Sequence, residues 1–143
     1  MNMKEYKASI EIHASAANIW AILVDARRWP EWDSNFDKID GKIGLGERLT
    51  IFSKVMQGRP VSVIVAELVP NRQMTWTSGM PLGLFRGRHS WTLTERSDGT
   101  TQFVSYETFT GILSPLIEKS IPDMTPSFND FVSRLKCRAE TEL

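Results

Sequence analysis

Residues 86–110, RGRHSWTLTERSDGTTQFVSYETFT, decide how this chain folds. Two runs of alternating apolar and polar side chains flank a Ser97-Asp98-Gly99 turn, the period of two that a strand with one buried face requires. The pattern predicts strands over residues 86–95 and 101–110, joined as an antiparallel hairpin. If the turn pairs Glu95 with Thr101, then Leu93 lies opposite Phe103, Trp91 opposite Ser105 and His89 opposite Glu107. A slip of two residues sets Glu107 against Trp91 instead. Parity places His89, Trp91, Phe103, Ser105, Glu107 and Phe109 on one face, and Arg86 and Arg88 on the other, where they serve as solvated charges.

The same alternation recurs upstream over residues 4–13, 35–40, 47–56, 60–69 and 72–78, so seven strands are expected. Their connections at 41–46, 57–59 and 70–71 are short, which favours antiparallel neighbours over crossovers. After the first strand, Ser15 stands before AANIWAILVDARRW, where Ile19, Trp20 and Leu23 recur at helical spacing behind a capping residue. Pro30, inside WPEWD, is expected to interrupt that helix or to open a second short one, with Trp29 and Trp32 fixing the turn. Downstream, the stripe Leu113, Leu116, Ile117, Ile121, Met124, Phe128, Phe131, Val132 and Leu135 predicts a long amphipathic helix. Pro122 and Pro126 imply a kink or restart, with Thr125 as an N-cap and residues 125–140 as the firmest helical part. One helix cannot cover a flat seven-stranded sheet, so the sheet must curl around it. The expected class is therefore α+β in a single domain over residues 1–143, with a concave apolar space between sheet and helix that suits a small molecule.

Composition narrows the function classes. Seventeen basic residues balance seventeen acidic ones, which removes the electrostatic footprint of a nucleic-acid binder. No apolar run reaches the length of a membrane span, and MNMKEYK at the amino terminus lacks the apolar core of a secretory signal; a cytoplasmic location is expected. Two histidines and one cysteine, with no HExxH or CxxC, leave nothing to build a metal site, and no cofactor is implied. Cys137 has no histidine near it in sequence to activate a thiolate, and no nucleophile signature appears. GKIGLGE at 41–47 leads into a strand and lacks the Lys-Ser/Thr ending of a phosphate loop, so it reads as a turn.

The candidate site lies on the concave face. Trp76, Trp91, Phe109 and, from the helix, Phe128 are expected to line it, with His89, Ser105 and Glu107 as its polar members. The loop 79–87, GMPLGLFRG, carries Met80, Leu82, Leu84 and Phe85 between glycines. It reads either as ordinary packing or as a flexible apolar lip in which Leu84 and Phe85 meet the ligand. His89 and Glu107 read either as a pair that pins strand register at the rim or as an acid–base pair.

IEIHASAANIWAILVDARRWPEWDSNF at 10–36 resembles the opening of the SRPBCC, or START-like, superfamily. GRHSWTLTERSDGTTQFVSYETFTGILSPLI at 87–117 and the helix FNDFVSRLKCRAE at 128–140 are similar to its polyketide cyclase/dehydrase-like or CoxG-like branch. The resemblance implies a helix-grip fold: one strand, two short helices, six strands and a long terminal helix. It also implies binding or transport of a small hydrophobic, lipid-, aromatic- or polyketide-like ligand. Other members of the superfamily suggest a cyclase/dehydrase-like enzyme in which His89 and Glu107 transfer protons, or a chaperone-activator-like interaction domain. The iron of oxygenase domains is set aside, because His13 has the outward parity and leaves one inward histidine.

Overall fold

The computed structural model describes residues 4–141. It contains β1 (Lys4–Ile12), α1 (Ala16–Leu23), a 3₁₀ turn (Ala26–Glu31), β2 (Phe36–Asp40), β3 (Arg48–Ser53), β4 (Pro60–Val69), β5 (Gln73–Met80), β6 (Phe85–Glu95), β7 (Thr101–Thr110), α2 (Ser114–Ile117) and α3 (Thr125–Thr141). The strands form one sheet in the order β1-β7-β6-β5-β4-β3-β2, every neighbouring pair antiparallel. β2 to β7 are a meander of consecutive hairpins, and β1 closes the far edge against β7. Register shifts at Phe36/Lys38 and Val65/Glu67 add the local twist that helps the sheet curl. The fold is a helix-grip: α3 lies in the concave face, and its Phe128, Phe131, Val132, Leu135 and Ala139 are buried there.

Local chemistry accounts for the short elements. Ser15 caps α1 by accepting a hydrogen bond from the Asn18 amide at 3.2 Å. Pro30 sits inside the 3₁₀ turn, where tighter winding accommodates its missing donor. That turn delivers Trp29 into the core, pinned by its indole Nε1 donating to the Leu23 carbonyl at 3.1 Å.

Three expectations need correction. The restart expected at Pro122 and Pro126 is present, but the stripe before it, Leu113 to Met124, is not a long helix: α2 is a single turn, a 3₁₀ turn covers Glu118–Ser120, and Ile121 is extended. Pro122 is the reason, since its ring excludes the helical conformation from the residue before it. Leu116 consequently stays 66% exposed. α3 also starts at Thr125 itself, one residue before the Pro126 start that a Thr125 cap implies: Phe128 donates to the Met124 carbonyl, and Asp123 Oδ1 accepts from the Thr125 amide at 3.0 Å. Lastly, the 79–87 loop is mostly strand. β5 runs to Met80, paired with Phe85, and only residues 81–84 turn, with Leu82 at φ 62° and 95% exposed. At Gly79, with φ 141°, a Cβ would meet the Phe85 carbonyl oxygen at 2.2 Å, so strand pairing there depends on glycine.

Candidate functional site

Between sheet and helix lies a cavity of about 320 Å³, partly open to solvent and at the lower end of the range for small-molecule pockets. Its walls are aromatic because the inward parity of β5 and β6 carries Trp76 and Trp91, while the 3₁₀ turn supplies Trp29 and α3 supplies Phe128 and Phe131. The rings touch in series. Trp29 stacks on Trp76 at 5.2 Å between centroids, Trp76 meets Trp91 edge-on at 4.6 Å, and Phe131 meets Trp29 edge-on at 5.0 Å. Phe85 and Phe109 stack on each other at 5.7 Å and complete the wall beside β7.

In the β6–β7 hairpin Leu93 lies opposite Phe103, Trp91 opposite Ser105 and His89 opposite Glu107, and the last four of these line the cavity. The His89 ring lies parallel to Trp91 at 4.0 Å and to Phe128 at 4.9 Å, and its Nε2 hydrogen-bonds Ser105 Oγ at 2.7 Å. His89 Nδ1 stands 3.9 Å from Glu107 Oε2, an approach too long for a hydrogen bond. Glu107 Oε1 is buried and meets no hydrogen-bond partner among the described residues.

Two effects compete at this pair, and burial wins. The side chains of His89 and Glu107 retain only 19% and 13% exposure, so water solvates either charge poorly. Desolvation pushes the His89 pKa down to about 3 and that of Glu107 up to about 7. Near neutrality the imidazole is uncharged, and the carboxyl is poised between its two forms.

A second polar group enters from the turn after Trp32. Asp33 is 1% exposed; its Oδ1 accepts from Arg134 Nη1 at 2.9 Å and from the Asn35 amide at 3.0 Å. Its Oδ2 also lacks a partner among the described residues, and burial raises its pKa in spite of Arg134. Asp33, Asn35 and Ser53 all line the cavity.

Sequence patterning does not identify Trp29, Asp33 or Asn35 as wall residues. The signal that could have found them is the Asp33-Ser34-Asn35 turn directly after two tryptophans, where a short polar side chain bonds the backbone two residues on. Conversely, Leu84 is not part of the wall: its carbonyl accepts from the Leu113 amide at 2.8 Å, which ties the hairpin tip to the segment beyond β7. Phe85, one residue on, does line the cavity. Arg88 faces outward and pairs with Glu67. Among the described residues no cluster of three or more His, Cys, Asp or Glu side chains is placed to hold a metal, and no helix is long and apolar enough to cross a membrane.

Solved structures share this architecture. The ZhuI aromatase/cyclase of Streptomyces sp. R1128 superposes with a TM-score of 0.72 at 14% identity, covering 99% of this chain and 96% of that one. A START superfamily protein of Mycobacterium smegmatis gives 0.72 at 14% identity, over 97% and 99% of the two chains. Norcoclaurine synthase of Thalictrum flavum gives 0.70 at 14% identity, over 97% and 87%. No curated protein sequence matches. At such identities the likeness is one of fold, whereas the match at residues 3–140 is one of sequence family. The chain belongs to the family described as polyketide cyclase/dehydrase and lipid transport.

Proposed function

We propose that the protein binds a small, flat, largely apolar molecule between the sheet and α3. The observation that supports this reading is the cavity of about 320 Å³, partly open to solvent, walled by Trp29, Trp76, Trp91, Phe128 and Phe131. A core that only needed stability would close over such a space, because unfilled volume costs packing energy. The neutral fluorophore N-phenyl-1-naphthylamine tests the reading. It should bind with an emission shift and quench the tryptophans, and Phe128→Ala should change its affinity. Absence of binding overturns the proposal.

A second reading draws on His89 and Glu107. An uncharged imidazole beside a carboxyl poised near pH 7 is an arrangement suited to general acid–base work on a bound, cyclase-type substrate. His89→Gln separates the two. A carrier keeps its probe affinity and has no turnover to lose, whereas a proton-transfer enzyme keeps binding and loses about 10² to 10⁴ in turnover.

A further inference from the structure

The cavity wall holds two carboxyl groups and, among the described residues, no lysine or arginine. Its remaining ionisable side chain, His89, is uncharged near neutrality because it is buried. Glu107 is the less compensated of the two carboxyls: Asp33 has a guanidinium at 2.9 Å, but nothing cationic on the wall faces Glu107. From β6 it is faced by His89, already committed through Nε2 to Ser105. From β1 it is faced by Tyr6, whose buried hydroxyl is itself unpartnered among the described residues. Lys4 stands one inward position further along β1, exposed, with its Nζ 5.5 Å from the Tyr6 ring centroid. The α3 side contributes Ser127, Phe128 and Phe131 to the wall, none of them charged.

We propose that the ligand of this cavity carries a protonated amine on a flat aromatic body, and that the free Oε1 of Glu107 receives it. The inference rests on the cavity's being a ligand site and adds the ligand's charge. A buried carboxyl oxygen without a partner costs folding energy, and among the described residues no partner meets it. A neutral donor satisfies one oxygen but, where the carboxyl is ionised, leaves the charge uncompensated. An anionic ligand adds a second like charge in a medium that screens poorly. An ammonium ion satisfies the oxygen and cancels the charge together. The body is specified by the stacked walls, and the buried Nε1 donors of Trp76 and Trp91, also unpartnered among the described residues, offer hydrogen bonds to an oxygen substituent on it.

Binding is then linked to a proton. Where Glu107 is protonated, entry of the ammonium releases that proton to solvent, so amine affinity climbs with pH until the carboxyl is fully ionised.

Three probes sharing one ring system test this by calorimetry: naphthylmethylamine, naphthylmethanol and naphthoate. At about pH 8 the amine should bind at least roughly tenfold more tightly than the alcohol, and the carboxylate most weakly. In the unaltered protein, raising the pH from about 5.5 to 8 should tighten the amine by roughly tenfold or more while leaving the alcohol nearly unchanged. Glu107→Gln, which keeps the shape, should bring the amine down to the alcohol's level and spare the alcohol. An alcohol or carboxylate that binds as tightly as the amine overturns the proposal, as does pH-independent amine binding; in each case the cavity remains a ligand site. Failure of all three probes to bind overturns that reading as well.

Discussion

Asp33 and Glu107 each bring to one cavity a carboxyl oxygen that has no partner among the described residues, yet they are supported in opposite ways. Asp33 is tied on its other oxygen to Arg134 of α3 and to the Asn35 amide, so it joins the turn after the 3₁₀ segment to a helix far along the chain. Glu107 has only an uncharged histidine, beyond hydrogen-bond reach. The first group has a structural reason to be there. The second is a cost to the fold, which is why it marks the chemistry of the site. Buried polarity by itself distinguishes neither case; the counter-charge does.

Removing the aromatic partition between the two groups should have the largest effect. Phe131 touches Trp29, Trp32 and Phe36 on the Asp33 side, and Trp91 and Phe103 on the sheet. Phe131→Ala should cost about 3 to 5 kcal/mol in chemical denaturation. An unchanged midpoint would show that α3 does not hold the two regions together.

The pH dependence of stability sharpens the comparison next. The Glu107 pKa rises on folding from about 4.5 to about 7, so the folded state binds the proton more tightly. Its contribution is fully present below about pH 4.5 and is lost as pH climbs through about 7, some 3 kcal/mol in all. His89 runs the other way: its pKa falls from 6.5 to about 3, so its contribution is present above about 6.5 and lost as pH falls toward 3. Between about pH 4.5 and 6.5 the two slopes offset. Stability of the natural chain should be nearly flat there. Glu107→Gln should leave a rise with pH and His89→Gln a fall, each of about 1.4 kcal/mol per pH unit. Parallel profiles for all three proteins would contradict the assignment.

Arg134→Met tests the other carboxyl. It leaves Asp33 buried without its cation, but Arg134 is 38% exposed and partly screened, so the loss should be about 1 to 2 kcal/mol. The additional change Asp33→Asn should recover part of it; no recovery would mean that the pair is not the source of the loss. The smallest effect belongs to Leu84→Ala, which should leave the affinity of an apolar probe within about twofold, whereas Phe85→Ala should shift it measurably. Equal responses would return Leu84 to the wall.

The β6–β7 hairpin is legible in the sequence because alternation and a three-residue turn signal are both local, and together they set register. His89 opposite Glu107 emerges from counting residues. The segment from 111 to 124 is not legible in the same way. Its apolar residues keep helical spacing, but Pro115 and Pro122 set the backbone, and spacing records only what a helix would bury if it formed. The wall contributed by Trp29 and Asp33 is hidden for a different reason: a 3₁₀ turn has no long periodicity to read, and its direction is set by tertiary packing against β2 and α1 and by the Trp29–Phe131 ring contact.

The sequence by itself determined the strands, their order along the chain, the inward parity of Trp76, Trp91, His89 and Glu107, and the need for a curled sheet, all consequences of side-chain period and the requirement to bury one face. Tertiary structure alone decided which carboxyl acquires a cation and which charge state the histidine holds. Arg134 reaches Asp33 only because α3 packs into the concave face of the sheet, and His89 is uncharged because Trp91 and Phe128 exclude the water that an imidazolium needs. Proximity in sequence encodes neither, since both depend on what the folded chain removes from solvent.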